Sequence, residues 1–333
     1  MKLLTYILAL LVLSAPTAAL AGRGPLRTAP AQAPALQAER TAAAAKDVLV
    51  ELALESGDVV VRGWDRDEVR ARSDEAPRIE LRRYESPEPG AAKDMTAAGI
   101  DAPARRVEVF VLHSKDDPVR PGQSSGSGNV ELNVPRGATV SLKVQSGDIE
   151  VSGVAEARVE SASGDIDLTL ISKGVDIDAF SGDISVADSR GSIRLRSLSG
   201  SVEATNLRPN DAKDEFTVKS MSGDILLQNV THAKIEGETT SGSVRFDGAL
   251  AKGGGYKLQT TSGDLTMSLP AAASFRVNAR IILSGEIITD FDVKTAAPAA
   301  RPGPLNRLDG VVGKGDADIN LSAFSGTVHL RKN

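Results

Sequence analysis

Hydrophobic and polar residues alternate along much of this chain, and the alternation changes phase at regular points. Before Ser146 the apolar residues Val140 and Leu142 occupy even positions, whereas Ile149 and Val151 after it occupy odd ones. Side chains of a straight strand alternate with a period of two, so one unbroken strand cannot accommodate this change. The pattern predicts two short strands joined by a bend that resets which side chains face inward.

Each change of phase coincides with one four-residue unit: Ser-Gly, then a small polar or acidic residue, then Val, Ile or Leu. Ten copies begin at Ser56, Ser146, Ser163, Ser181, Ser199, Ser222, Ser241, Ser262, Ser284 and Ser325. From Ser146 to Ser284 successive copies are 17, 18, 18, 23, 19, 21 and 22 residues apart. This spacing is typical of a solenoid, in which short coils of chain stack on one another. We therefore predict an all-β, parallel β-solenoid (β-helix) with rungs of about 18 to 22 residues.

Every residue type in the unit has a structural task at a corner. Glycine allows positive φ or leaves room that a Cβ would fill, and the Ser and Asp side chains can hydrogen-bond the backbone of a turn. The predicted corner glycines are Gly57, Gly147, Gly164, Gly182, Gly200, Gly223, Gly242, Gly263, Gly285 and Gly326. The copy at Ser284 departs from the rule, because apolar residues on both its sides occupy odd positions. Either the preceding strand is bulged or this copy lies at a changing edge of the stack.

The first 21 residues predict a secretory signal peptide. They contain a positive Lys2, an apolar run over residues 3–13 and the small-residue cleavage site Ala19-Leu20-Ala21, so the mature chain would begin at Gly22. No later stretch is apolar for long enough to span a bilayer. We therefore expect an exported protein, periplasmic or at the cell surface, without a transmembrane segment in the mature chain.

The rest of the chain divides into three parts. Residues 22–45 are rich in Ala and Pro and predict a flexible segment, with a short helix as an alternative for 35–45. Residues 46–128 are expected to form an N-terminal β cap with inserted loops, because a bare terminal rung would expose unpaired backbone groups. Residues 129–333 are expected to form the solenoid repeats, with a mobile insertion at 294–315.

Composition narrows the possible functions. The chain has no cysteine, so packing and backbone hydrogen bonds must stabilise it without disulfides. Its net charge of −5 comes from interspersed acidic and basic residues, which gives no footprint for nucleic acid. Aromatic residues make up 3% of the chain, which leaves few for a sugar-binding cleft.

The repeated acidic residues are compatible with two kinds of chemistry, calcium binding and glycoside hydrolysis. Stacked carboxylates could bind calcium, and the candidate ladder is Asp148, Asp165, Asp183, Asp224 and Asp264. The Gly-Gly-x-Gly-x-Asp spacing of calcium-binding β-rolls is missing, and Ser201, Ser243 and Thr327 replace the acid in three copies. Glycosidase chemistry needs two carboxylates in different environments, and regularly spaced acids nominate no pair. A structural task is the favoured interpretation, with no catalytic or cofactor-binding residue.

Other candidate residues are isolated. His113, His232 and His329 lack metal-ligand spacing, so we expect surface residues. Trp64 follows Gly63 and is expected to fill the core of the cap and not to serve as a binding platform.

The early Gly63-Trp64-Asp65 after Ser56-Gly57-Asp58-Val59, followed by serial Ser-Gly-Asp-Ile copies, resembles the bacterial "putative adhesin" family of domains of unknown function. The resemblance covers residues 46–332. It implies a right-handed parallel β-solenoid exported to the cell envelope, and it brings no catalytic residues.

The leading functional hypothesis is a non-enzymatic, adhesin-like envelope scaffold whose stacked faces contact a protein or glycan. The alternatives are a carbohydrate-active β-helix enzyme and a structural protein that self-associates through its terminal rungs. Functional residues are expected where copies deviate, at Ser284-Gly285-Glu286 and in the loops around 86–103, 114–128 and 294–315.

Overall fold

The structure is a computed structural model that describes residues 38–74, 76, 78–88, 94–96, 102–114, 125–295 and 305–333. The chain divides into two compact units, residues 1–35 and 36–333, and all described residues belong to the second. The predicted signal peptide therefore lies outside the described residues, as does most of the segment 22–45. Within the described ranges the chain forms 26 strands and no helix.

The strands follow the chain in short alternating pieces. The first nine are β1 (Ala38–Ser56), β2 (Val59–Trp64), β3 (Glu68–Ser73), β4 (Arg78–Tyr84), β5 (Ala104–Leu112), β6 (Ser125–Ser127), β7 (Val130–Pro135), β8 (Thr139–Val144) and β9 (Ile149–Ser152). The next nine are β10 (Glu156–Ser161), β11 (Ile166–Thr169), β12 (Gly174–Ser181), β13 (Ile184–Ala187), β14 (Ser192–Ser199), β15 (Val202–Thr205), β16 (Glu215–Ser222), β17 (Ile225–Gln228) and β18 (Lys234–Ser241). The last eight are β19 (Val244–Asp247), β20 (Gly255–Ser262), β21 (Leu265–Leu269), β22 (Phe275–Ser284), β23 (Ile287–Thr289), β24 (Arg307–Val312), β25 (Asp318–Ser325) and β26 (Val328–Lys332).

Each rung, meaning one turn of the solenoid, contributes one strand to each of two parallel sheets. Sheet B contains the strand before each Ser-Gly corner, and sheet A contains the strand after it. Equivalent residues pair from rung to rung, as Ile177 pairs with Leu195 in sheet B and Ile184 with Val202 in sheet A. The predicted all-β parallel solenoid is confirmed.

The alternating side chains that face inward form one continuous apolar core. Val, Ile, Leu and Ala fill most of it, and the later rungs add Phe216, Phe246, Tyr256 and Phe275, which are fully buried. Small β-branched side chains suit the narrow space between two sheets. The change of phase read from the sequence is the consequence of this core: each corner must return an apolar side chain to it.

The rungs do not stack in sequence order at either end. Strands β1 and β2 lie between the rung of β5, β6 and β7 and the rung of β8 and β9. At the other end β25 and β26 lie between β20 and β21 on one side and β22 and β23 on the other. The Ser284 copy is therefore the terminal rung. A register shift between Ile281 and Ser284 accompanies it, so both explanations offered for its odd phase are observed.

Antiparallel strands cover both ends of sheet B. Strand β4 pairs antiparallel with β5 at one end, and β24 pairs antiparallel with β22 at the other. In sheet A, β3 pairs antiparallel with β7 and with residues 38–43 of β1. Such strands replace the parallel pairing that a bare rung would offer to another chain.

Several boundaries differ from those expected. Strand β1 begins at Ala38, before the expected start at Lys46, and residues 38–45 are strand where a short helix was the alternative. Its corner at Ser56 lies inside the stack and not in a separate cap. Strand β24 lies within the insertion expected at 294–315, of which 296–304 are outside the described residues.

Candidate functional site

The glycines of the repeated unit form one straight row along the solenoid. Their φ angles lie between +114° and +145°, a region that L side chains rarely adopt. A Cβ at Gly182 would overlap the carbonyl oxygen of Gly164 on the neighbouring rung. The ten predicted corner glycines all lie in this row. Gly128 joins it from an eleventh unit, Ser127-Gly128-Asn129-Val130, although residues 114–128 were expected to form a loop.

The Asp side chains of successive units each hydrogen-bond the backbone of the adjacent rung. The Asp148 carboxylate accepts from the N–H of Asp165 at 2.9 Å, and Asp165 accepts from Asp183 at 2.9 Å. Asp183, Asp224 and Asp264 accept in the same way from Ser201, Ser243 and Thr327 at 2.7 Å each. Each carboxylate therefore caps the N–H at the same position of the adjacent rung. In the ranges that the structure covers, no group of three or more His, Asp or Glu side chains is placed to hold a metal ion.

A second corner row, where sheet A ends, contains residues in the left-handed conformation. These are Leu170, Asp188, Asn206 and Asn229, with φ angles of 50° to 57°. The Asn206 amide donates to Asp188 at 3.0 Å, and the Asn229 amide donates to Asn206 at 3.2 Å. Leu170 occupies the same position with 60% of its surface exposed and no comparable side-chain hydrogen bond to offer.

An open groove runs along the solenoid where sheet B approaches the Ser-Gly corner. Its volume is about 950 Å³. One wall is formed by the residues immediately before the Ser of successive units, in the order Gln145, Ala162, Phe180, Leu198, Met221 and Thr240. Phe180 is 63% exposed and Met221 56% exposed, so the middle of this wall is an apolar stripe in contact with solvent.

The other wall of the groove is a row of charged side chains two residues earlier in each strand. It contains Lys143, Glu160, Asp178, Arg196, Lys219 and Glu238. Adjacent rungs pair these charges: Lys143 Nζ lies 3.0 Å from Glu160, Arg196 Nη1 2.8 Å from Asp178, and Lys219 Nζ 3.2 Å from Glu238. The groove therefore combines an apolar stripe with a neutralised ionic rim, the arrangement found at protein interaction surfaces.

A buried ionic cluster lies on the outer side of sheet B at the amino-terminal end. The Arg106 guanidinium is 3.5 Å from Glu51 and 3.6 Å from Glu108, and the Tyr84 hydroxyl donates to Glu108 at 2.9 Å. Burial raises the pKa of Glu51, and the positive charge of Arg106 opposes that rise. Burial and the hydrogen bond to Glu108 raise the pKa of Tyr84 to about 12. The Arg106 guanidinium also lies 4.1 Å from the Tyr84 ring, so this cluster anchors β4 to β5.

The isolated candidates lie in different surroundings. His113 is exposed and His329 half-buried, but His232 is fully buried, so the expectation of a surface residue is wrong there. His232 Nε2 lies 2.7 Å from the Gly191 carbonyl oxygen, and its Nδ1 has no hydrogen-bond partner among the described residues. Burial lowers the pKa of His232. Trp64 is half-buried and does not fill the core as expected; its indole N–H donates to the Glu68 carbonyl at 2.9 Å, and the guanidinium groups of Arg66 and Arg70 each lie 4.9 Å from its ring.

The groove is the feature that sequence reasoning missed. One sequence feature indicates the groove. The residue immediately before each Ser should face outward according to the alternation, yet in three units along the groove this residue is large and apolar: Phe180, Leu198 and Met221. The inserted loops expected to carry function are described only in part, and residues 89–93, 97–101, 115–124 and 296–304 lie outside the described ranges. Nothing in the described ranges forms a helix long and apolar enough to cross a membrane.

Comparison with known proteins identifies a family. A family model described as Toastrack DUF4097 matches residues 122–225 and 191–331, which together make up more than half of the chain. No curated protein matches the sequence. Among solved structures, a "putative cell adhesion protein" from Clostridium sporogenes ATCC 15579 aligns over 89% of this chain and 100% of its own, at 10% identity and a TM-score of 0.22. At that TM-score the alignment bears on neither fold nor function.

Proposed function

The chain belongs to the Toastrack DUF4097 family, and from that premise we propose that it is a non-enzymatic, exported cell-envelope protein, an adhesin-like scaffold for contacts with protein or glycan. The observation that carries the proposal is the groove on sheet B. Its apolar stripe keeps Phe180 and Met221 more than half exposed, on a rigid surface whose rungs are fixed by parallel pairing. Contiguous exposed apolar surface rimmed by polar residues marks interaction sites in soluble proteins.

The ionic rim supports contact over catalysis. The three carboxylates of the groove, Glu160, Asp178 and Glu238, each face a Lys or Arg within 3.2 Å. Glycoside hydrolysis needs a proton-donating acid and a second carboxylate on opposite sides of a bound sugar. The three carboxylates of the groove lie in one row on one face of sheet B, each engaged in an ion pair.

The half-buried Glu51 and the buried Glu108 are the other arrangement that an enzyme could use. Arg106 lies between these carboxylates, and Glu108 accepts a hydrogen bond from Tyr84. Neither residue lines the groove. Their contacts join strands β1, β4 and β5, which supports a structural task.

The proposed export rests on the predicted signal peptide at residues 1–21 and on the resemblance described above. Fractionation of the producing cells tests it directly. Recovery of the chain in the periplasmic or surface fraction, shortened by about 21 residues, is the expected result. Recovery of uncleaved chain in the cytoplasm contradicts it.

Binding measurements on purified protein test the contact function. Wild-type protein is applied to a glycan array and to immobilised envelope proteins, beside the variant Phe180→Asp/Met221→Asp. Leu170→Asp is the matched control, because Leu170 is 60% exposed at the opposite corner. We expect the wild type and the control to bind and the groove variant to bind at least tenfold more weakly. Turnover of any member of a polysaccharide panel by the wild type contradicts the non-enzymatic proposal.

A further inference from the structure

We propose that the groove binds a second copy of this chain, forming an antiparallel dimer about a twofold axis that runs parallel to the strands and passes between β12 and β14. This inference rests on the proposed contact function, because it names a partner for the same groove. The observation behind it is the order of charges along the rim.

The charges of the rim reverse sign about the middle of the groove. From β8 to β18 the row runs positive, negative, negative, positive, positive, negative, in the order Lys143, Glu160, Asp178, Arg196, Lys219, Glu238. A twofold rotation between β12 and β14 reverses this order in the second copy. Lys143 then faces Glu238, Glu160 faces Lys219, and Asp178 faces Arg196, so every position meets the opposite charge.

The apolar wall obeys the same symmetry. The rotation places Phe180 of one copy opposite Leu198 of the other, so the two apolar side chains nearest the axis contact each other across it. It places the small Ala162 opposite the long Met221, and the polar Gln145 opposite the polar Thr240. An isologous interface requires such self-complementarity, because one patch serves both copies.

The charged row also ends symmetrically. The corresponding positions on the next rungs outward are Ala53 on β1 and Gln259 on β20, and neither is charged. At a rung spacing of about 4.8 Å the six charged rungs extend about 24 Å along the axis. A patch of this length and a few residues in width is smaller than the interface of a stable dimer, so a weak, concentration-dependent dimer is expected.

Sedimentation velocity over about 1 to 500 µM covers the range in which a weak interface of this size associates. We expect the sedimentation coefficient of the wild type to rise from the monomer to the dimer value and no further, because an isologous contact closes. Added salt should weaken the dimer, since ions screen exposed charge pairs. Phe180→Asp/Met221→Asp should remain monomeric throughout.

Variants that swap the two charges of one ion pair distinguish contacts between the two copies from contacts inside a single copy. K143E/E160K preserves the ion pair inside the chain and the net charge, but it places like charges opposite each other across the axis. We expect this variant to dimerise at least tenfold more weakly with an unchanged circular dichroism spectrum. K219E/E238K should behave in the same way. An equimolar mixture of the two variants should form a heterodimer of wild-type affinity, because every facing pair is again opposite in charge.

Three results overturn the dimer: a wild type that is monomeric at all concentrations, homodimers of K143E/E160K as tight as those of the wild type, or open polymers in place of dimers. Open polymers would favour association through the terminal rungs. If the wild type is monomeric but groove variants lose glycan or envelope-protein binding, the dimer fails and the proposed function stands. If dimers form and neither glycan nor envelope protein binds, the adhesin-like function fails and the dimer stands.

Discussion

The corner row requires glycine for two reasons, a positive φ and the lack of room for a Cβ. Substitutions at three glycines distinguish these two reasons. Gly182 has φ of +117°, and a Cβ there would overlap the Gly164 carbonyl oxygen of the neighbouring rung. Gly253 has φ of +74° but open space around a Cβ, and Gly255 has open space without positive φ. Alanine at these positions therefore introduces strain and overlap, strain alone, or neither.

The expected costs follow in that order. At Gly182 an unfavourable φ costs about 1 to 3 kcal/mol, and displacement of a packed neighbouring backbone adds about 1 to 3 kcal/mol. Gly182→Ala should therefore destabilise the protein by about 2 to 6 kcal/mol, a large share of the roughly 5 to 15 kcal/mol typical of a folded domain. Gly253→Ala should cost about 1 to 2 kcal/mol. Gly255→Ala should be neutral or stabilise the protein by up to about 1 kcal/mol.

Urea unfolding followed by far-ultraviolet circular dichroism measures the series. Both the midpoint and the slope are needed, because a solenoid can lose cooperativity when one rung is disrupted. A Gly182→Ala variant within about 1 kcal/mol of Gly255→Ala would refute the close stacking of the corner row.

Other side chains give shorter tests by the same unfolding measurement. Leu170→Asn should stabilise the protein by about 1 kcal/mol, because Asn tolerates the left-handed conformation better than Leu; a lower midpoint contradicts this. Asp165→Ala should lower the free energy of unfolding by about 1 kcal/mol by removing the acceptor for the Asp183 N–H, and Asp165→Asn should lower it less because it keeps an oxygen. Equal losses would argue against this hydrogen bond between rungs. His232 has a lowered pKa when folded, so the unfolded chain binds the proton first, and stability should fall as the pH drops below about 6.5. His232→Gln keeps an N–H donor for Gly191 and should flatten that fall between about pH 7 and pH 5; an unchanged slope contradicts the assignment.

The local pattern was sufficient to predict the solenoid. A change of phase at Ser146 has one simple cause, a corner between two strands that share a core, and the structure has that corner. The structural task of Asp148 followed from its place beside Gly147. Its actual partner, the N–H of Asp165 on the next rung, is 17 residues away and required the stacking register.

Stacking order and outer surfaces could not be read from the local pattern. Nothing in the Ser-Gly unit at Ser325 shows that its rung lies between those of Ser262 and Ser284, because every copy of the unit specifies a corner and none specifies which rung lies beside it. The groove depends on register in the same way: Phe180 and Leu198 are 18 residues apart and become neighbours only when β12 pairs with β14. His232 was misassigned because its buried contacts are with Phe216 and Gly191, which lie 16 and 41 residues away in the sequence.

The corner row, the groove and the dimer all depend on the way the Ser-Gly units stack. The least expected feature of this stacking is that the rung of Ser325, the last in the sequence, lies between the rungs of Ser262 and Ser284. The chain has no cysteine, so engineered pairs can be cross-linked without background. Ser262 pairs with Ser325, at the distance of about 5 Å that a disulfide spans, whereas Ser284 lies one rung further on, at about 10 Å. Oxidation should therefore close Ser262→Cys/Ser325→Cys quantitatively and leave Ser262→Cys/Ser284→Cys reduced. Closure of the second pair and not the first would show rungs stacked in sequence order and contradict the structure.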